Sequence, residues 1–141
     1  MIDSMLVHKV VKRSLKSEKP LGTKRHKTAD RKDGVVSLLI HDIFGGEILK
    51  TKIKSGWHFY NRIEGKRMDF TRKELVIRSD DYLFEDIPSS PSETSNYVEN
   101  EEYSTFLNRF IMLFEEVVGL NYKQQCLTAL FLTIYTYIIL Q

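Results

Sequence analysis

The sequence predicts a small α+β domain in which a buried helix and flanking helices pack on an antiparallel sheet of β-hairpins. Three observations support this fold class. A central stretch alternates apolar and polar residues, apolar residues recur at helical spacing on both sides of it, and 141 residues that are 42% apolar suit one core of ordinary size. We therefore expect one domain over residues 1–120. Residues 121–141 are expected to form an apolar C-terminal segment that packs on this core or at a dimer contact.

The alternating stretch contains two turns rich in glycine and small polar residues, Ser55-Gly56 and Glu64-Gly65-Lys66. Turns of this kind between alternating runs are typical of β-hairpins. The predicted strands are Glu47 to Ile53, Trp57 to Ile63 and Arg67 to Phe70.

Helical periodicity predicts three helices around these hairpins. The first covers residues 3–16, and the last covers Glu101 to Val118, whose apolar stripe is interpreted as core. Residues 34–44 are apolar almost all round and stop at Gly45-Gly46, which predicts a buried helix, with a parallel strand as the competing interpretation. The segments interpreted as loop, turn or linker are residues 17–33 and 87–92.

One histidine and one aspartate stand out because the predicted hairpins bring them onto neighbouring strands. His58 lies in the second strand and Asp69 in the third, and a short turn joins the two strands. A carboxylate within hydrogen-bond reach of a histidine orients the imidazole, as thiol proteases require. Trp57, next to His58, is expected either to pack over the imidazole or to line a pocket.

The segments 42–49 (DIFGGEIL), 58–62 (HFYNR) and 69–72 (DFTR) together resemble the YunG family of small bacterial proteins. The resemblance covers residues 34–118 and, weakly, the first helix. It implies a Cys, His and Asp constellation in the manner of papain-like or transglutaminase-like folds, with a Gly-Gln-Cys-Ala segment opening the buried helix. The candidate binding residues in this block are Trp57, Asn61 and Arg62.

The chain departs from the family pattern at the expected nucleophile. Counted back from the FGG motif, the family cysteine falls at Asp33, and a carboxylate does not replace a thiolate in acyl transfer. Asp33 is expected instead to cap the helix N-terminus, which is worth about 1 kcal/mol. The only cysteine, Cys126, follows Gln124-Gln125 in an echo of the family segment. It is interpreted as a small buried hydrophobe, with a reactive thiolate at a helix N-terminus as the alternative.

Two functions from different classes are compatible with these residues, and the sequence leaves open whether the protein is an enzyme. The leading hypothesis is a catalytically silent binding or structural module of YunG type that keeps His58 and Asp69. The alternative is a thiol-dependent hydrolase or acyltransferase with Cys126, His58 and Asp69 as catalytic residues. No cofactor is expected, because the histidines lack metal-ligand spacing and Gly45-Gly46 lacks the pattern of a phosphate-binding loop.

Charge is distributed unevenly along the chain. Residues 1–32 carry ten Lys or Arg against three acidic residues, whereas residues 79–120 carry ten acidic residues against one basic residue, Arg109. Binding of an anion or of nucleic acid through residues 9–32 is a weaker third hypothesis, because the basic run lacks interleaved aromatics. One cysteine and no secretion-signal pattern favour a reducing cytoplasm. Partners remain open, with a homodimer, or a less favoured membrane contact through residues 121–141, as the candidates.

Overall fold

The structure, a computed structural model, describes residues 3–16 and 32–118. Within these ranges the predicted α+β class is confirmed, because helices pack on an antiparallel sheet. The helices are α1 (Ser4–Lys16), α2 (Asp33–Phe44), α3 (Pro91–Ser95) and α4 (Asn100–Val118). The strands are β1 (Glu47–Ile53), β2 (Gly56–Ile63), β3 (Lys66–Met68) and β4 (Ile87–Ser89).

The strands form one sheet in the order β3-β2-β1-β4, with antiparallel neighbours throughout. Thr51 of β1 lies opposite His58 of β2, so these two side chains share one face of the sheet. Asn61 points to the other face, where its amide Nδ2 donates to the carbonyl of Ser37 in α2 at 3.0 Å. The helices therefore cover the face opposite to His58.

The main core lies between the helices and this face of the sheet. α2 is apolar on nearly all sides because the sheet covers one side of it while α3 and α4 contact others. Each large apolar side chain removed from water contributes about 1.5–3 kcal/mol. The buried residues of this core are Val7, Val10, Val11, Val35, Val36, Leu39, Ile40, Ile63, Met68, Phe70, Leu75, Phe106, Leu107 and Phe110.

The face that carries His58 is covered by residues 78–86, which we call the strap. Phe84 of the strap packs edge-on against the ring of Tyr60, with the ring centroids 5.0 Å apart. Arg67 of β3 holds the strap in place, because its Nη1 donates to the carbonyls of Asp81 and Phe84 at 3.3 Å each. A small second cluster forms beneath the strap and consists of Leu49, Tyr60 and Ile77 with Phe84.

Several predicted elements are confirmed, and three details are wrong. The two end helices and the buried helix are present, so the strand interpretation of residues 34–44 is wrong. β3 ends at Met68 rather than Phe70, because the Asp69 N–H donates to the carbonyl of Leu75 at 2.9 Å. Residues 87–92 are not a linker. They form the edge strand β4, where a proline is tolerated, and the start of α3.

Two predictions concern segments outside the described residues. These are the loop over residues 17–31 and the C-terminal segment 121–141 with Cys126. In the described ranges 3–16 and 32–118, no helix is long and apolar enough to span a membrane.

Gly46, between α2 and β1, approaches the backbone of β2 closely. Its φ is +82°, and a Cβ at this position would lie 2.5 Å from the carbonyl oxygen of Arg62. Gly65 in the β2–β3 turn has a similar φ of +76°, but a Cβ there would meet nothing within 4 Å. Alanine variants at these two glycines therefore distinguish the cost of backbone strain, which both share, from the cost of a steric clash, which occurs at Gly46 alone of the two.

We expect Gly46→Ala to destabilise the fold much more than Gly65→Ala. Gly65→Ala adds only the strain of a left-handed alanine, about 1 kcal/mol. Gly46→Ala must also displace a strand carbonyl, so we expect a loss of about 3 kcal/mol. Urea unfolding of both variants measures the difference. Equal losses would contradict the close approach at Gly46.

Candidate functional site

The predicted contact between His58 and Asp69 is present. Nε2 of His58 lies 2.6 Å from Oδ2 of Asp69, which follows directly after β3. The other oxygen of Asp69 accepts from the backbone N–H of Thr71 at 3.0 Å and from its hydroxyl at 2.6 Å. The Asp69 side chain is 1% exposed. Its orientation is thus fixed from both sides.

A second carboxylate faces the other nitrogen of the same imidazole. Oδ2 of Asp33 lies 3.4 Å from Nδ1 of His58 and accepts the backbone N–H of Phe59 at 2.7 Å. β3 pairs with β2 only as far as Asn61 and Met68, so Phe59 lies beyond the end of that ladder. The Asp33 carboxylate therefore accepts the Phe59 N–H at a position where β3 no longer pairs with β2.

The capping role predicted for Asp33 is wrong. The N-cap of α2 is Lys32, which makes no side-chain cap hydrogen bond, and Asp33 is the first residue of the helix. A carboxylate in the first turn is still favoured by the positive end of the helix macrodipole. The contact with His58 was missed from sequence, although one signal pointed to it. That signal is the expectation, from the resemblance described above, of a cysteine at position 33.

Asp33, His58 and Asp69 form what we call the ion cluster. Burial on its own would lower the pKa of His58, but the hydrogen bonds and charges of Asp33 and Asp69 outweigh it and raise that pKa from 6.5 to about 9. Only the doubly protonated imidazolium carries an N–H on both ring nitrogens. At neutral pH the imidazole is therefore protonated and presents one N–H toward Asp33 and one toward Asp69.

Aromatic rings flank the imidazole on the strap side. The ring of Phe84 stands edge-on to His58 with the centroids 6.3 Å apart, and the ring of Tyr60 lies nearly parallel at 6.4 Å. The His58 side chain is 20% exposed, compared with 7% for Asp33. The cluster is thus largely shielded, and the histidine is its most accessible member.

Helix α1 is tied to the short segment that carries Asp69. The Lys12 ammonium donates to the carbonyl of Thr71 at 2.8 Å. Nε2 of His8 lies 2.7 Å from the carbonyl of Arg72, where it acts as the donor. The cluster is therefore connected through residues 69–72 to the first helix.

Trp57 lies on the opposite face of the sheet from His58, because neighbouring residues of a strand alternate between faces. Packing of Trp57 over the imidazole, one of its two predicted uses, is therefore wrong. The ammonium groups of Lys50 and Lys52 lie 4.6 and 4.7 Å from the centroid of its ring.

The two other candidate binding residues make intramolecular contacts. Asn61 is 1% exposed and holds α2 through Ser37, as described above. Arg62 pairs with Glu47 at 3.1 Å and with Asp86 at 3.0 Å on the strap side of the sheet. A role of Trp57, Asn61 or Arg62 in ligand binding stays a prediction.

The structure bears on metal binding but not on the position of the Cys126 thiol. In the part of the chain that the structure describes, no three His, Cys, Asp or Glu side chains are arranged to hold a metal ion. Cys126 lies outside these residues, so its proximity to His58 stays a prediction.

The described residues form a small α+β fold in which the first residue of a helix meets a strand histidine and the aspartate that follows the next strand. Residues 4–114 match the family model described as YunG protein, so the chain belongs to the YunG family. A curated relative, "Uncharacterized protein YunG" of Bacillus subtilis (strain 168), is 38% identical over 77 residues. The alignment covers 55% of this chain and 64% of the relative's length. No solved structure gives a significant match.

We expect the ion cluster to make stability fall at alkaline pH. The pKa of His58 is raised on folding, so its stabilising contribution is complete below about pH 6.5 and is lost as pH rises through about 9. We expect a loss of about 2 kcal/mol across this window, a value reduced because the imidazole is partly solvated. Urea unfolding at a series of pH values measures it. His58→Gln is the control, and an equally steep fall in that variant would contradict the assignment.

Proposed function

We propose that this chain is a catalytically silent binding or structural module of the YunG family, in which Asp33 occupies the position of a nucleophile. The observation that carries the proposal is the 3.4 Å separation of Asp33 Oδ2 from His58 Nδ1, on the opposite side of the ring from Asp69. In a thiol-dependent hydrolase a cysteine faces one nitrogen of the histidine, and a third group orients the other nitrogen. In this chain a carboxylate lies where the thiolate would be.

The protonation state of His58 also argues against a role of this residue as a general base. A general base needs a ring nitrogen without a proton. With a pKa of about 9, about 1% of the His58 side chains are neutral at pH 7. The Asp33 carboxylate is itself engaged by the Phe59 N–H. The cluster therefore lacks both a strong nucleophile and a base ready to activate one.

A structural role fits the contacts of the cluster better. It joins the first residue of α2, the middle of β2 and the segment after β3, and that segment is held by α1. Buried ion clusters contribute little net stability, but removing one member costs about 3–5 kcal/mol because it leaves an uncompensated charge. The cluster thus favours one arrangement of these elements over others.

The finer proposal is that this arrangement descends from a papain-like or transglutaminase-like core. A helix N-terminus, a strand histidine and a following aspartate support it as a matter of geometry. We also propose a cytoplasmic location, which rests on the single cysteine.

We expect Asp33→Cys to create a reactive thiol. In a Cys126→Ser background, a cysteine at position 33 would lie at the N-terminus of α2 and face the imidazolium of His58. Both features favour thiolate, so its pKa should fall well below about 8.5. The pH dependence of alkylation by iodoacetamide measures this pKa.

Two controls accompany this experiment. Thr105→Cys in the same background puts a thiol on the exposed surface of α4 and should titrate near the ordinary value. Adding His58→Ala to Asp33→Cys should return its pKa toward that of the surface thiol. The proposal fails if the thiols at positions 33 and 105 react alike with and without His58.

The thiol-hydrolase alternative is tested on the parent chain. To pair with Nδ1 of His58, the Cys126 thiol would have to displace Asp33. We therefore expect that His58 does not activate Cys126 and that Cys126 is labelled slowly at neutral pH. We also expect no effect of His58→Ala on its rate. Rapid labelling that follows a pKa below about 8.5 and weakens in His58→Ala would favour the hydrolase instead.

A further inference from the structure

The C-terminal half of α4 is apolar around most of its circumference. A helix advances about 100° per residue, and Phe110, which is 1% exposed, marks the direction of the core. Phe114 and Val117 lie within about 40° of that direction. Val118 and Ile111 lie at about 80° and 100°, and Met112 at about 200°. We call Ile111, Met112 and Val118 the α4 flank.

Helix α1 packs against another side of α4. Arg109 donates to the carbonyl of Ser14 at 3.3 Å, and Glu116 pairs with Arg13 at 3.3 Å. Arg109 and Glu116 lie at about −100° and −120° from Phe110. Val118 and Ile111 therefore lie on the side away from α1, and Met112 lies on the outer side of the helix, about 40° from Glu116. In the described residues Met112 is 70% and Val118 is 37% exposed, whereas Ile111 packs partly against the main core.

We propose that residues 120–140 of the same chain cover the α4 flank. They follow Val118 directly through Gly119, a residue that readily permits a reversal of the chain. Residues 126–140 carry no charge, and such an apolar surface is seldom left in water. Packing of residues 120–140 on the α4 flank would therefore remove apolar surface of both segments from water.

The charges next to the reversal are complementary. Lys123 is the only charged residue among the 23 that follow Val118. Lys123 comes four residues after Gly119, and Glu115 comes four residues before Gly119. Glu115 lies at about 140° on the helix, between Ile111 and Met112. A return of the chain about Gly119 would bring the ammonium of Lys123 toward this carboxylate.

A second exposed apolar surface offers a rival location. Tyr82 and Leu83 of the strap are 90% and 81% exposed, on the far face of the sheet. The α4 flank is favoured because it directly precedes the segment in sequence, and the entropy cost of closing a loop grows with its length. The short tether also gives the flank a high effective concentration of its partner.

Oxidation of methionine by hydrogen peroxide tests this proposal on the full chain. Met112 and Met5 are almost equally exposed in the described residues, at 70% and 67%, so without further cover they should oxidise at similar rates. Each rate is followed by mass spectrometry of its peptide and divided by its rate in the urea-unfolded chain. We expect Met112 to oxidise several-fold more slowly than Met5.

A matched pair of full-length variants identifies the cover. Ile134→Asp puts a charge inside the apolar run and should bring the Met112 rate up to that of Met5. Gln141→Asp adds the same charge beyond the run and should leave protection intact.

Three outcomes would overturn the proposal. One is equal rates for Met112 and Met5 in the parent chain. Another is protection of Met112 that disappears on dilution, which would assign the cover to a second copy. The third is protection that appears only with neutral phosphatidylcholine vesicles, which would assign it to a membrane.

Discussion

The imidazolium of His58 is the group on which the rest of this structure depends. Two carboxylates, Asp33 and Asp69, have side chains only 7% and 1% exposed and converge on one ring. Two buried like charges at this spacing would repel and would each lose hydration. A cation between them offsets both effects. Because a proton stays on each ring nitrogen, the imidazolium presents an N–H to each of the two carboxyl groups.

The cluster also connects the ends of the surrounding elements. Asp33 binds the N–H of Phe59 just past the last pair between β2 and β3, so the start of α2 is held at the point where β3 has ended. Asp69 turns out of β3 to reach His58 and Thr71. Lys12 then binds the carbonyl of Thr71 and ties α1 to the same segment. A few short polar contacts thus link the sheet to both helices.

Local patterns were enough to predict much of this fold. The β2–β3 hairpin was readable from sequence because alternating runs flank a short turn that contains Gly65, where φ is positive. The buried helix was readable from its apolar run and the glycines after it. β4 was missed because a three-residue strand with a central proline shows no alternation, and only its pairing with β1 makes it a strand.

The candidate site divides in the same way. The contact between His58 and Asp69 follows from a hairpin and was predicted. The contact with Asp33 spans 25 positions and depends on how α2 docks against the end of the sheet, which no local pattern encodes. The same limit applies to the strap. Phe84 reaches His58 because contacts between distant residues, among them those of Arg67 with the Phe84 carbonyl and of Thr51 with the Leu83 carbonyl, hold this segment on the sheet.

The protonation of the His58 ring is the property that tests this account most directly. Nitrogen NMR of the side chain at pH 7.5 reports the two ring nitrogens separately, and His58→Gln assigns the signals. The account predicts that both Nδ1 and Nε2 carry protons, with the signals unchanged until the pH approaches about 9. A neutral imidazole at pH 7.5, with Nδ1 unprotonated and Nε2 protonated toward Asp69, would contradict the ion cluster and return His58 to the list of candidate bases.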